Sequence, residues 1–237
     1  MYYTVNMRLD TFLCETVNLS RKEARDSVKK GLAFVNGIKI TDFGYQINEN
    51  SDSVVFKNTP VSYEKYVYYM LNKPSGCISA TSDPNDKTVI DLFDSEGRKD
   101  LFPVGRLDKD TLGLLIVTND GELSHHLTSP RHHVDKTYLT GIDHALSESD
   151  IKSLCEGVEL KGDGITKPAK VSVLSPTCIE LTINEGMYHQ VKRMLKAVGN
   201  EVTSLKRISI GPVKLDDNLK EGEYRRLTEE EIKLLKE

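Results

Sequence analysis

The residues best suited to chemistry stand in one short segment, Gly105-Arg106-Leu107-Asp108-Lys109-Asp110-Thr111-Leu112-Gly113-Leu114-Leu115, a charged loop bracketed by glycines that runs straight into an apolar strand. A carboxylate at a strand entrance is held still by the scaffold yet stays open to a ligand, which suits acid, base or nucleophilic work. Asp108 and Asp110 could divide such work as a glycosidase pair, because residues two apart on a strand share a face. That reading lacks a sugar-stacking tryptophan, since the chain contains none. A loop aspartate on its own is more often a turn or cap residue, so Asp108 needs support from elsewhere. Two histidine pairs, His125-His126 and His132-His133, hold enough imidazole for a metal. Adjacent histidines on a strand point to opposite faces, however, and no cysteine or patterned carboxylate completes a set, so no metal site is expected. Cys14, Cys77, Cys155 and Cys178 lie far apart without a Cys-x-x-Cys pair and read as buried thiols.

The elements that must position these groups fall into two parts. Leu9, Phe12 and Leu13 recur at helical spacing, and Ser20 followed by Glu23 announces a second helix that Gly31 stops. Leu32 to Val35, an Asn36-Gly37 turn and Ile38 to Ile40 read as a hairpin. This gives a two-helix-plus-hairpin unit over residues 1–60, with the stretch from Asn58 to Glu64, containing Pro60, as linker. Over residues 61–237, β-rich runs (YVYYML, GLLIVT, KTYLTGI, AKVSVL, CIELTI, VTSLKRISI) alternate with fewer helices, which predicts an α+β domain on a mixed, largely antiparallel sheet. The clearest helix runs from Tyr188 to Val198: Val191, Met194, Leu195 and Val198 form its apolar stripe, and His189, Lys192, Arg193 and Lys196 its other side. A last helix begins at Thr228, with Glu231 completing a capping box.

Composition bounds the partners. Hydrophobic residues at 38% and charged residues at 29% are those of a soluble globular protein. No apolar run is long enough to span a bilayer, and the opening MYYTVNMRLD lacks signal-peptide order, so a cytoplasmic protein without membrane contact is expected. The net charge of -4 argues against a polyanionic partner, but the charge is segregated: Ser20 to Lys30 carries Arg21, Lys22, Arg25, Lys29 and Lys30 against Glu23 and Asp26. By itself this helix could be a solvated face with no partner.

The loop around Asp108 resembles the signature of the RsuA/RluB branch of pseudouridine synthases. Three further motifs of that family stand around it in order: Leu71-Asn72-Lys73-Pro74-Ser75-Gly76, Lys136-Thr137-Tyr138, and Glu185 through Leu195. The first 60 residues are similar to an S4 domain, an RNA-binding fold, so the resemblance spans essentially the whole chain. It implies isomerisation of a uridine in RNA without a cofactor. Asp108 would be the catalytic carboxylate, by addition to the base, attack on the sugar, or removal of a sugar proton. Lys192 would supply the opposite charge that keeps it ionised, and Tyr138 would pack on the target base and take the proton from C5. Arg106 would fill the place vacated when the base leaves its stack. Arg21, Lys22, Arg25, Lys29 and Lys30, with Arg131, His132, His133 and Arg193, would contact RNA. The wording of the last motif, with lysine at position 192, points to the small-subunit branch and uridine 516 of 16S rRNA. A 23S rRNA site is the alternative within the family, and a non-enzymatic S4-type assembly factor the alternative outside it. The expected partner is ribosomal RNA, within a small-subunit assembly intermediate, and the expected state a monomer.

Overall fold

The computed structural model describes residues 6–17, 19–48 and 51–237; the first five residues, part of the opening segment read above, lie outside that range. The chain divides into two compact units, one of residues up to Tyr66 with Phe93–Lys99, the other of Val67–Leu92 with Asp100–Glu237.

The first unit runs β1 (Asn6–Arg8), α1 (Leu9–Thr16), α2 (Arg21–Lys29), β2 (Ala33–Val35), β3 (Ile38–Ile40), β4 (Gln46–Asn48), β5 (Val54–Phe56) and β6 (Thr59–Val61). Its core forms where the two helical stripes meet the strands: Leu9, Phe12 and Leu13 of α1 and Ala24 and Val28 of α2 are buried with Ile47, Val54 and Phe56. Ser20 and Glu23 close the expected capping box on α2. The β2–β3 hairpin turns through Asn36 and Gly37, both at positive φ (50° and 77°), as its tight connection demands. The unit holds more strand than two helices and a hairpin: β2 also pairs with β5 in a sheet ordered β3-β2-β5-β6, and β1 pairs with β4. The stretch read as linker is partly strand. Lys57 and Asn58, at φ 48° and 67°, turn the chain, and Pro60 sits on edge strand β6 opposite Val55. Pro60 lacks an N–H, which is tolerated at an edge; the residue that suggested a break is there because the sheet ends.

The second unit runs β7 (Tyr68–Lys73), the start of a 3-10 helix (Ile90–Glu96) whose residues from Phe93 onward belong to the first unit, β8 (Phe102–Pro103), β9 (Leu112–Thr118), α3 (Gly121–Thr128), β10 (Lys136–Ile142), α4 (Glu148–Glu156), β11 (Glu159–Leu160), β12 (Gly164–Ile165), β13 (Lys170–Ser175), β14 (Cys178–Ile183), α5 (Gln190–Ala197), β15 (Val202–Ile210), β16 (Val213–Lys214), β17 (Tyr224–Arg226) and α6 (Glu229–Lys236). All six β-rich runs are strands of one sheet, ordered β13-β14-β10-β15-β9-β7-β17, with β16 on β15 and β8 on β9. Every pairing in it is antiparallel except β15 with β9. The fold is therefore α+β with a mixed, largely antiparallel sheet.

That parallel seam is short, pairing Lys206 with Leu112 and Arg207 with Gly113. Gly113 is at φ +99°, and a Cβ there would lie 2.2 Å from the Arg207 carbonyl oxygen, so only glycine lets the strands meet. Thr228 and Glu231 cap α6 as expected. Lys236 on that helix donates to the Tyr68 hydroxyl (2.8 Å), which donates to Asp120 (2.7 Å), the cap of α3. His125 and His126 lie in the last turn of α3, not on a strand, so the opposite-faces argument against a metal does not apply to them. Among the described residues no group of three or more His, Cys, Asp or Glu side chains is placed to hold a metal ion. Among them, too, no helix is long and apolar enough to cross a membrane.

Candidate active site

A cavity of about 500 Å3 opens beside the seam of β9 and β15, lined by Arg106, Asp108, Tyr138, Lys192, His189 and Arg207 among others. Six separate stretches of sequence meet there: residues 78–80 after β7, the loop before β9, the end of α3, strand β10, the segment from the end of β14 into α5, and strand β15.

The Asp108 loop is fixed by backbone and by two side chains behind it. The Ser79 hydroxyl donates to the Leu107 carbonyl (2.9 Å) and accepts from the Leu107 N–H (3.0 Å). Lys73 is wholly buried, and its ammonium donates to the carbonyls of Thr111 (2.9 Å), Pro74 (3.0 Å) and Lys109 (3.3 Å). Burial pushes the Lys73 pKa down, with Cys77, Asp110 and Asp108 opposing. The Gly76 N–H adds a bond to the Lys109 carbonyl (2.8 Å), and the Thr111 N–H closes a turn on the Asp108 carbonyl (3.1 Å). Three of the four sequence motifs thus serve to hold one carboxylate in place or to line the cavity it faces. Lys73 and Ser79 had no role in the sequence reading.

Asp108, with 27% of its side chain exposed, meets two basic groups. Lys192 Nζ lies 3.2 Å from Oδ2 and His189 Nε2 lies 3.4 Å from Oδ1. The sequence pairing of Asp108 with Lys192 is present, but it is shared. Lys192 makes shorter bonds to Asp110, 2.7 Å to Oδ1 and 2.9 Å to Oδ2. Burial would lower the Lys192 pKa, yet the hydrogen bonds that its ammonium donates to Asp110 and Asp108 outweigh it and raise the value. Asp110 is correspondingly held below the usual carboxylate range by its Lys192 bond.

Tyr138 is 8% exposed and stands opposite Arg207 of β15 in the β10 register. Arg207 is 2% exposed; its Nε donates to the Leu114 carbonyl (2.8 Å), while its Nη2 is buried without a partner. Lys136, two residues before Tyr138, donates to the Val134 carbonyl (2.9 Å). Burial first and the neighbouring Arg207 charge second push its pKa down to about 8. Sequence reading missed Arg207, yet β15 buries Leu205 and Arg207 at period two, and that alternation marks an arginine facing inward. Arg106 is exposed at the cavity and has no partner among the described residues.

Outside the cavity the expected RNA contacts divide. On α2, Arg21, Lys22, Arg25 and Lys29 are all exposed, as is Lys30 at its C-cap. Arg25 is already engaged, donating to Asp10 (3.0 Å), which also takes two bonds from Arg8 (2.9 and 3.0 Å). The Arg8 bond foremost, then Arg25, hold the Asp10 pKa at about 2 against burial. Arg8, Arg25 and Lys29 stand 5.6, 5.2 and 5.4 Å from the Phe43 ring centroid, so the basic face includes Arg8 and an aromatic that sequence reading left out. Arg131, His132 and His133 are exposed, with His132 4.5 Å from His126 between ring centroids and His133 bonded to Lys167 (2.7 Å). Arg193 instead turns inward to Asp163 and to the carbonyls of Lys161 (2.9 Å) and Tyr188 (3.1 Å). It clamps the turn before α5 and offers little to an external phosphate.

Comparison with known proteins agrees with this geometry. A model of the RNA pseudouridylate synthase family matches residues 67–197, and a model of the S4 domain matches residues 7–52. An RNA pseudouridine synthase of Bacillus subtilis strain 168, itself described as uncharacterized, is 48% identical over 98% of this chain and 99% of its own. The ribosomal small subunit pseudouridine synthase A of Haemophilus influenzae is 42% identical over 97% of this chain and 99% of its own. That of Escherichia coli K12 is 41% identical over 95% and 98%. A crystal structure of a pseudouridylate synthase superposes with a TM-score of 0.69 at 41% identity, covering 97% of this chain and 99% of that one.

Proposed function

The chain belongs to the RNA pseudouridylate synthase family and carries an S4 domain at its N-terminus, and from that premise we propose that it isomerises one uridine of ribosomal RNA, uridine 516 of the 16S molecule. The small-subunit target is supported by relatives of that name at 41–42% identity along nearly the whole chain. Residues 1–60 then serve as the RNA-binding domain and residues 61–237 as the catalytic one. The substrate is RNA within a small-subunit assembly intermediate in the cytoplasm, and the enzyme works as a monomer.

The reaction breaks the bond between C1′ of the ribose and N1 of uracil, turns the base, and joins C1′ to C5, with the C5 proton lost and N1 protonated. All atoms and electrons are conserved, so no oxidant and no phosphate donor enters the balance. The observation that carries the reading is the fixed, half-exposed Asp108 in a cavity with a cation on one oxygen. Lys192 Nζ, 3.2 Å from Oδ2, and His189 Nε2, 3.4 Å from Oδ1, flank the carboxylate that acts on the sugar or base. Tyr138 bounds the space for the base and accepts the C5 proton. Arg106, exposed and unengaged, enters the gap that the extruded base leaves; extrusion costs a few kcal/mol, and a planar guanidinium can stack in its place.

The test is to incubate the protein with 16S and 23S transcripts and map pseudouridine. Modification at uridine 516 is expected with the wild type and none with Asp108→Asn, whose folding and RNA affinity stay close to wild type because the substitution keeps the volume. Modification confined to 23S RNA would move the target. Equal activity in Asp108→Asn would remove the catalytic assignment.

A further inference from the structure

The turn before α5 carries a feature that the isomerisation itself does not use. Tyr188 is 70% exposed, the second most exposed large hydrophobic side chain among the described residues, and its inner face lies on the His189 ring at 3.8 Å with an interplanar angle of 19°. His189 Nε2 in turn lies 3.4 Å from Asp108 Oδ1, and both rings line the cavity. Carboxylate, imidazole and phenol therefore form a column of contacts, joined by an Nε2–oxygen approach and one ring stack, with Tyr188 largely turned to solvent.

This column is held, not loose. His189 adopts the left-handed conformation (φ 48°, ψ 37°), which is uncommon for a residue with a Cβ and persists where the surroundings impose it. The strain is not offset by capping, since the His189 side chain makes no cap bond to α5. The turn is braced on both sides of Tyr188. The Met187 N–H donates to Gln190 Oε1 (2.9 Å), Gln190 Nε2 donates to Glu185 (2.6 Å), and Arg193 donates to the Tyr188 carbonyl (3.1 Å). A rigid backbone thus presents an aromatic face to water at the mouth of a site that takes RNA, where burying that face against another ring is favourable.

We propose that Tyr188, backed by His189, is the stacking platform for an unpaired nucleobase adjoining the target uridine, and that it contributes to the choice of substrate. The proposal rests on the reading that Asp108 acts on a uridine inside the cavity. His189, not Tyr188, is the ring in contact with Asp108, and the exposed face of Tyr188 is the one turned away from His189, so a base stacked there belongs to a nucleotide neighbouring the target. Once the target leaves its stack, its neighbours lose a stacking partner, and every base has a face that an aromatic side chain can cover.

The test uses the full-length protein and an RNA in which the wild type forms pseudouridine, with 2-aminopurine placed immediately before or after the target. The chain has no tryptophan, so the probe is excited without interference from the protein. Wild type should quench the probe at one of the two positions, and Tyr188→Phe should do the same. Tyr188→Ala should lose the quenching and bind the unlabelled RNA about 5- to 150-fold more weakly. On RNA with an abasic nucleotide at that position, Tyr188→Ala and wild type should bind alike. Undiminished quenching or affinity in Tyr188→Ala, or a penalty that persists on the abasic RNA, overturns the platform. If the wild type forms no pseudouridine in any ribosomal transcript, the proposed function fails instead, and the two failures are told apart by the mapping alone.

Discussion

Removing the Lys192 ammonium should damage catalysis in a way that a second mutation partly repairs. Lys192 lies 3.2 Å from Asp108 and bonds Asp110 at 2.7 and 2.9 Å, so one cation serves two carboxylates. In Lys192→Met that cation is lost and the two carboxylates face each other without it. A hydrogen bond to a charged group contributes about 1.5 to 3 kcal/mol, so the single-turnover rate should fall about 10- to 150-fold. Asp110→Asn removes only the outer partner, whose side chain is 69% exposed. An exposed ion pair contributes up to about 1 kcal/mol, so this change should cost less than about 5-fold. In Lys192→Met/Asp110→Asn the outer negative charge is gone as well, and Asp108 is relieved of a like-charge neighbour. The double variant should therefore turn over faster than Lys192→Met alone, a coupling opposite in sign to simple additivity. Single-turnover rates at saturating RNA for the four proteins decide the matter. A double variant slower than Lys192→Met, or Asp110→Asn as slow as Lys192→Met, would show that Lys192 acts for Asp110 and not for Asp108.

The N-terminal unit offers two further tests. Arg21, Lys22 and Lys29 are exposed and not ion-paired to Asp10; changing all three to alanine should weaken RNA binding and flatten the log-log salt slope by about 0.7 to 0.9 per lost phosphate contact, with the saturated single-turnover rate unchanged. An unchanged slope would show that α2 is not the anchor. Adding Arg25→Ala should also destabilise the unit, because Asp10 is buried and loses a partner. Asp10 is held at about 2 in the fold against 3.8 without its partners. The depressed value means that its stabilisation is complete above 3.8 and lost as pH falls through about 2. At full value this is about 2 kcal/mol, and about 1 kcal/mol once the exposure of Arg8 and Arg25 is allowed for. Urea unfolding of wild type and Asp10→Asn should show a wild-type advantage at neutral pH that disappears toward pH 2; an advantage that is independent of pH would assign the effect to packing.

Much of the fold was legible because its signals are local. Capping pairs at Ser20-Glu23 and Thr228-Glu231, the Asn36-Gly37 turn and six β-rich runs act over a few residues, and each appears where the sequence placed it. Boundaries set by backbone conformation were not. The apolar stripe of α5 extends back toward Tyr188, but the left-handed His189 delays the helix to Gln190. Strand β6 was hidden by Pro60, a residue that reads as a break unless the edge of the sheet is known. Helix α3 has only Leu123 and Leu127 buried, too few to mark a period. At the site, Asp108, Lys192 and Tyr138 were named from motif resemblance, and the structure brings them to one cavity. That Lys192 leans toward Asp110, that Arg193 folds inward and that Arg207 is buried with its Nη2 unpaired among the described residues depend on contacts across the fold.

The parallel seam has a consequence for how the protein comes into being. The Asp108 loop leads into β9, while Arg207 lies on β15, close to a hundred residues later, and the two strands meet through only two residue pairs. Long-range pairings of this kind close late, because the intervening chain must be ordered before the contact repays it. The cavity-lining groups of the Asp108 loop and of β15 are therefore brought together only where these two strands pair. The cavity thus depends on closure of the β9–β15 seam, a pairing of two residues from each strand.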